Sequence, residues 1–130
     1  MRVLGSPRTM SRIMVIDDNL DSATMLAELL ARRGHAVDVA HDGLVAYDMV
    51  LARHPEIAVI DIGLPTIDGY ELARRLRKAL GAGAPRMIAL TGYGADDDRA
   101  LSRQAGFESH LTKPVQLGKL LALLDHSNAV

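Results

Sequence analysis

The chain has 130 residues, a length typical of one domain, and its 48% of hydrophobic residues is enough to bury a core without disulfides or metals. The formal net charge of −1 argues against a dedicated nucleic-acid-binding protein, which usually carries a basic excess. The absence of cysteine excludes disulfides, thiolate metal sites and cysteine nucleophiles.

Residues 1–11 are predicted to form a flexible tail or linker, because they contain Gly5, Ser6 and Pro7 and no apolar signal segment. No apolar run in the chain reaches the roughly 20 residues that span a bilayer. We therefore expect a cytoplasmic protein that makes no membrane contact.

The first predicted element is a strand over residues 13–16, which stops abruptly at Asp17 and Asp18. Apolar residues spaced i, i+3, i+4 and i+7 over residues 23–30 then predict an amphipathic helix. Gly34 is placed to end this helix, since glycine favours the position after a helix C-terminus.

Residues 36–40 predict a second strand, and Asp42 is a candidate N-cap for a second helix. That helix must end before Pro55, because the residue before a proline is disfavoured in helical conformation. The third strand, residues 57–60, again stops at an acid, Asp61.

A loop with several glycines and prolines follows, and apolar spacing over residues 72–80 predicts a third helix closed by Gly81. The fourth apolar run, residues 87–90, stops at Thr91.

The acids of residues 96–98 suit the start of a fourth helix, which we expect to end at Gly106. A weak fifth strand over residues 109–112 leads to Lys113, and residues 117–124 carry the apolar stripe of a last helix. Continuous apolar strands that alternate with helices predict an α/β fold, with a parallel sheet of five strands covered by helices on both faces.

The predicted strands end in residues suited to phosphoryl chemistry. Ligands of such sheets bind at the carboxyl ends of the strands, where Asp17, Asp18, Asp61, Thr91 and Lys113 would meet. Three carboxylates repel one another, and a hard cation such as Mg²⁺ would offset this together with the lysine. An aspartate can accept a phosphoryl group covalently, and the lysine and threonine can stabilise its oxygens.

Four segments together resemble the receiver domain of response regulators in two-component signalling. They are Asp17-Asp18, Asp61-Ile62-Gly63-Leu64-Pro65 with Asp68-Gly69, Leu90-Thr91-Gly92, and Leu111-Thr112-Lys113-Pro114. The resemblance assigns residues 12–126 to the receiver domain and residues 127–130 to a tail. It implies a flavodoxin-like three-layer sandwich with strand order 2-1-3-4-5.

The resemblance also implies a role for each residue of the acidic cluster. Asp61 is the expected phosphoacceptor. Mg²⁺ is expected to bind Asp61, Asp18 directly, Asp17 directly or through water, and the backbone carbonyl of Gly63.

The remaining family positions are expected to bind and report the phosphoryl group. Thr91 would move toward it, Lys113 would pair with it, and the bond from Lys113 to Pro114 is expected to be cis. His110 stands where the family usually carries a tyrosine or phenylalanine that swings during switching. Gly63 also departs from the family, where bulkier side chains are frequent, so that Tyr93 is left to cover part of the site.

The function implied is a switch rather than an enzyme acting on other molecules. The phosphoryl donor would be a phosphohistidine on a sensor histidine kinase or a histidine phosphotransfer protein. The surface of the fourth helix, fifth strand and fifth helix would repack, in a monomer or a phosphorylation-dependent dimer. The chain resembles receivers attached to hybrid histidine kinases, and we expect either a stand-alone regulator or part of a larger protein.

Two alternatives belong to other functional classes, and a third is a receiver that does not switch by phosphorylation. An aspartyl-phosphate phosphohydrolase would need acids two residues apart after the first strand and a cap domain, whereas Asp17 and Asp18 are adjacent. A nucleotide- or flavin-binding module would need a phosphate-binding loop rich in glycine, serine or threonine after the first strand, where this chain has Asp17-Asp18-Asn19. A receiver that only docks partners would not need the full set of acids, threonine and lysine. We also predict that Asp17 and Asp18 do not simply cap the first helix, and that His35, His41, His54 and His126 lie on the surface.

Overall fold

A computed structural model of the chain describes residues 11–92 and 99–126. In chain order the elements are β1 (Arg12–Ile16), α1 (Leu20–Arg32), β2 (Ala36–Ala40), α2 (Gly43–Arg53), β3 (Ile57–Asp61), α3 (Gly69–Leu80), a short 3-10 helix (Gly81–Gly83), β4 (Arg86–Thr91), α4 (Arg99–Ala105), β5 (Ser109–Thr112) and α5 (Leu117–His126). Most of the expected N-terminal tail, the C-terminal tail, Tyr93 and the acids of residues 96–98 lie outside the described residues. No helix in the described part of the chain has the length and apolar character needed to cross a bilayer.

The five strands form one parallel sheet in the order β2-β1-β3-β4-β5, which confirms the predicted fold. Ile16 of β1 pairs with Ile60 of β3, so that Asp17 and Asp61 follow on neighbouring strands at the same edge. On the other side of β3, Asp61 pairs with Leu90 of β4. The register of three strands therefore fixes the residues that meet at the carboxyl edge.

Helices cover both faces of the sheet because the side chains of the strands alternate between two apolar clusters. One cluster joins β1, β3 and β4 to α1 and α5, and Leu30 and Leu120 lie fully buried in it. The other joins the opposite face of the sheet to α2 and α3, with Val50 and Leu76 at its centre. The central strands thus lie in the middle layer, as their continuous apolar sequence predicts.

Side chains just before three helices cap them. The side chain of Asn19 accepts a hydrogen bond from the Ser22 N–H at 2.9 Å, so that Asn19 is the cap of α1. Asp17 and Asp18 are therefore left for another role, as predicted. Asp42 and Asp68 cap α2 and α3 in the same way.

The amino edge of the sheet is held by an arginine. Arg86, at the start of β4, donates hydrogen bonds to the carbonyls of Leu123 and Leu124 at 2.7 and 3.3 Å, in the last turn of α5. The same guanidinium forms an ion pair with Glu108, just before β5. Arg86 therefore ties α5 to the strand pair that it covers.

His35 lies at the same edge and is half-buried, so that one side of its ring stays at the surface. Its Nδ1 accepts a hydrogen bond from the Ser11 N–H at 3.3 Å, and the Ser11 carbonyl accepts from the Ala36 N–H at 3.0 Å. These bonds hold the residue before β1 against the start of β2.

An aromatic contact connects α3 with the turn before β5. The rings of Tyr70 and Phe107 meet edge to face, with centroids 6.3 Å apart and planes at 77°. Phe107 is buried, and Tyr70 follows Gly69 at the beginning of α3.

Candidate functional site

The three acids predicted from the strand ends form one cluster. Asp17, Asp18 and Asp61 each offer a carboxylate oxygen within 4.8 Å of the others. Asp17 is 2% exposed and Asp61 is 7% exposed, whereas Asp18 faces solvent. The cluster therefore opens to solvent on the side of Asp18.

Backbone N–H groups orient the two buried carboxylates. Oδ1 of Asp17 accepts from the Asn19 N–H at 3.0 Å, and Oδ1 of Asp61 accepts from the Gly63 N–H at 2.9 Å. In both cases the donor lies two residues after the acid, in the loop that follows the strand. The other oxygen, Oδ2, is directed to a shared partner.

That partner is the ammonium group of Lys113. Its Nζ lies 3.0 Å from Oδ2 of Asp17 and 3.0 Å from Oδ2 of Asp61. The lysine follows β5, two strands away from β3 in the sheet, and its side chain spans that distance to reach β1 and β3. Three of the sequence-predicted residues are thus joined by direct charge contacts.

Burial and proximity perturb the proton affinities of this group. Burial raises the pKa of Asp17 above its ordinary value, although the Asn19 N–H and Lys113 oppose the shift. Burial alone would lower the pKa of Lys113, but hydrogen bonds to Asp17 and Asp61 raise it. An ammonium group between two carboxylates gives up its proton less readily than one in water. A buried carboxylate beside another acid takes up a proton more readily.

The donor set of the cluster suits a hard divalent cation. All of its candidate ligand atoms are carboxylate oxygens, and oxygen ligands are what Mg²⁺ prefers. The exposed Asp18 leaves room for water and for phosphate oxygens, which Mg²⁺ usually keeps among its ligands. Asp17, Asp18 and Asp61 therefore fit this ion.

Thr91 and Lys113 connect the site to β5 through the backbone. The Lys113 N–H donates to the Thr91 carbonyl at 2.8 Å, and the Thr91 hydroxyl donates to the Leu111 carbonyl at 3.4 Å. Thr91 is 5% exposed. The bond between Lys113 and Pro114, which was expected to be cis, is cis in the structure.

His110 lies in β5, opposite Ala89 of β4, and is half-buried. It lines two adjoining clefts of about 500 and 440 Å³ on the side of α4 and α5, both of which it shares with Leu111 and Lys119. His110 lies three residues before Lys113 in the sequence, and its side chain forms part of the wall of both clefts.

Sequence reasoning missed two contacts beside the acids. His41 is partly exposed, and its Nδ1 donates a hydrogen bond to the Asp17 carbonyl at 3.0 Å. The Thr66 hydroxyl donates to Oδ2 of Asp42 at 2.5 Å. Each contact joins residues 24 positions apart. The sequence indicated only that these residues lie at the end of a predicted strand or in a predicted loop, and it did not indicate their partners.

Comparison with known proteins gives one family. The family model described as the response regulator receiver domain matches residues 13–125. Response regulator MprA of Mycobacterium avium (strain 104) is 36% identical over 111 residues, which are 85% of this chain and 48% of that protein. The chain thus spans about half the length of the curated relatives that it matches.

Solved structures share the fold. A two-component response regulator of the LuxR family from Aurantimonas sp. SI85-9A1 superposes with a TM-score of 0.81 at 29% identity, covering 92% of this chain and 86% of that one. A response regulator protein from Burkholderia pseudomallei superposes with a TM-score of 0.77 at 31% identity, covering 86% of this chain and 65% of that one.

Proposed function

This chain belongs to the response regulator receiver domain family, and we propose on that premise that it accepts a phosphoryl group from a phosphohistidine onto Asp61, with Mg²⁺, and acts as a switch. Residues 12–126 would form the receiver domain. The observation that carries the proposal is the position of Lys113, whose ammonium group contacts Asp61 and Asp17 at 3.0 Å each. A carboxylate beside one fixed cation and two further acids is suited to phosphoryl transfer.

The transfer requires Asp61 to form an O–P bond while the N–P bond of the donor histidine breaks, and the electron pair of that bond returns to the imidazole. The Gly63 N–H holds Oδ1 of Asp61, which leaves Oδ2 as the attacking oxygen once Lys113 turns toward the incoming phosphoryl oxygens. Asp17, Asp18 and Asp61 would hold Mg²⁺, which supplies charge stabilisation for those oxygens.

The domain would act only on its own Asp61 and on no other molecule. The domain would catalyse just the arrival and the hydrolysis of its own phosphoryl group, so we propose a signalling switch and no enzyme acting on other molecules. The Burkholderia pseudomallei relative, solved with a phosphorylated aspartic acid and a calcium ion, supports this assignment.

The switch would pass from Thr91 to the surface of α4, β5 and α5. The Thr91 hydroxyl is bonded to the Leu111 carbonyl, and a phosphoryl group on Asp61 would offer it a charged acceptor instead. Release of the β5 backbone would then shift the population toward an active surface that includes His110. This local charge change needs no large rearrangement of the sheet.

The phosphoryl donor would be a sensor histidine kinase or a histidine phosphotransfer protein. Asp17 and Lys113 line a cleft of about 170 Å³ beside α1, and the exposed Met25 lies on its rim. A protein donor that docks against α1 would contact this rim, where an apolar side chain favours association. The downstream partner, a cytoplasmic location and the choice between monomer and phosphorylation-dependent dimer stay predictions.

Intact mass after incubation with Mg²⁺ and acetyl phosphate tests the proposal. We expect one added phosphoryl group that is stable in acid and lost in base. It should be absent from Asp61→Asn and from a control without metal. If wild type gains no adduct and forms no complex with beryllium fluoride, a mimic of the acyl phosphate, the domain is a docking receiver that is not phosphorylated.

A further inference from the structure

The loop between β3 and α3 carries Gly63, whose N–H fixes the carboxylate of the proposed phosphoacceptor, Asp61, at 2.9 Å. Its first residue is anchored at both backbone groups, since the Ile62 N–H donates to Leu90 and the Ile62 carbonyl accepts from the Gly69 N–H. Gly63 itself is exposed. Contacts that fix the outer part of the loop therefore also fix the position of the Gly63 N–H relative to the Asp61 carboxylate.

The outer part of the loop has one unfavourable backbone conformation. Thr66 has φ of 74°, in the left-handed region that β-branched residues rarely adopt. A conformation of this kind persists only where the surroundings impose it, and such positions concentrate near functional sites.

Two contacts with the start of α2 impose it. The Thr66 hydroxyl donates to Oδ2 of Asp42 at 2.5 Å, and Ile67 packs so closely on Gly43 that a Cβ there would lie 2.6 Å from the Ile67 carbonyl. Oδ1 of Asp42 accepts from the Leu44 and Val45 N–H groups at 2.7 and 3.1 Å. The Thr66 hydroxyl, with the Val45 N–H, also lowers the pKa of Asp42, which keeps this carboxylate ionised.

The residue before Asp42 contacts the other buried acid of the site. The ring of His41 donates to the carbonyl of Asp17 at 3.0 Å. Residues 41 and 42 therefore touch the ends of both acidic strands, one through the Asp17 backbone and the other through the loop that follows Asp61. The junction between β2 and α2 is placed to set the two acids relative to each other.

We propose that Asp42 and Thr66 are positioning residues, whose hydrogen bond holds the β3–α3 loop so that Gly63 and Asp61 are set for metal binding and phosphoryl transfer. The inference rests on the proposed function. It differs from a capping role, because the cap of α2 uses Oδ1 of Asp42, whereas the loop is held by Oδ2.

Thr66→Val tests the bond, because it removes the hydroxyl and keeps the β-branched shape. We expect Mg²⁺ binding, measured by titration calorimetry, to weaken by roughly tenfold at most, because partners bonded directly to a metal ligand account for about 10–100-fold and this bond acts on the ligands through the loop. In the metal-free protein, the amide proton of Gly63 should move upfield as its bond to Asp61 loosens. The amide proton of Glu108, bonded to the Met87 carbonyl at the other end of the sheet, should not move.

Two further variants separate positioning from general stability. Thr66→Ser keeps the hydroxyl and should bind Mg²⁺ as wild type does. Asp42→Ser keeps a good N-cap but is too short to reach Thr66, and should match Thr66→Val, with no added loss in the double variant. Wild-type values in Thr66→Val, or equal losses in Thr66→Val and Thr66→Ser, would overturn the inference. Failure of wild type to gain a phosphoryl group would instead overturn the proposed function.

Discussion

Lys113 places its ammonium nitrogen 3.0 Å from Oδ2 of Asp61, and it reaches Asp17 at the same distance. In the metal-free protein this single cation compensates two buried carboxylates. A metal ion that binds these acids must therefore compete with a cation that the chain itself supplies.

Replacement of Lys113 should show that its ammonium group and Mg²⁺ compete for the same carboxylates. Lys113→Gln should lower the free energy of unfolding of the metal-free protein by roughly 1–3 kcal/mol, because buried charges lose their partner. Mg²⁺ should then raise Tm more in the variant than in wild type. Thermal denaturation at several Mg²⁺ concentrations measures both effects. Lys119→Gln, on the exposed face of α5, is the matched control, and equal Mg²⁺ shifts in all three proteins would contradict the prediction.

Gly69 is required where α3 begins, against the end of β3. A Cβ at this position would lie 2.6 Å from the Asp61 carbonyl and 2.8 Å from Cα of Ile62, and neither backbone atom can move aside easily. Gly69→Ala should cost roughly 1–3 kcal/mol of unfolding free energy in urea denaturation. Gly118→Ala, where a Cβ meets nothing within 4 Å, should raise it by up to about 1 kcal/mol. Equal effects of the two changes would disprove this account.

Arg86 should matter more than an arginine in a surface ion pair. Its side chain is 23% exposed, and it joins β4 to Glu108 and to the last turn of α5. Arg86→Met should lower the unfolding free energy by roughly 1.5–3 kcal/mol, as expected for hydrogen bonds of a charged group. Arg53→Met removes the exposed pair with Asp38 and should cost at most about 1 kcal/mol. Chemical denaturation of both variants shows which one loses more unfolding free energy, and a larger loss in Arg53→Met would contradict the prediction.

His35 should make stability depend on pH near neutrality. Burial lowers the pKa of His35 below its ordinary value of 6.5, although Asp125 and Glu56 oppose the shift. The unfolded chain then binds the proton more readily than the folded one, so stability is lost as the pH falls below about 6.5 and toward the lower pKa of the folded state. Protonation also removes the acceptor for the Ser11 N–H.

The measurement is Tm between pH 5 and 8 for wild type and His35→Asn, which keeps an acceptor close to the position of Nδ1. The variant should lose part of the wild-type decrease on the acid side. An unchanged pH profile would show that His35 does not contribute.

The sequence was most informative where local chemistry and chain direction coincide. Each parallel strand ends at the same edge, so an apolar run followed by Asp17, Asp61 or Thr91 was enough to predict that these residues gather. The predicted strand over residues 36–40 and the cap at Asp42 follow the same local logic and are present in the structure.

Contacts between loops could not be predicted in this way. The bond from Thr66 to Asp42 and the contact of His41 with Asp17 depend on how α2 packs across β1, which no local pattern specifies. Arg86 is similar, because in the sequence it is only a polar residue before an apolar run. Its partners at the end of α5 lie nearly 40 residues away, at separations of 37 and 38.

The edge-to-face contact of Tyr70 with Phe107 gives the molecule a built-in spectroscopic reporter. Phe107 is the single phenylalanine, and the chain has three tyrosines and no tryptophan, so its ring-proton resonances have few phenyl or phenol signals to overlap with. Ring-current shifts depend steeply on the spacing and tilt of the two rings. A displacement of α3 relative to the turn before β5 would therefore be visible in an unlabelled, unmodified sample.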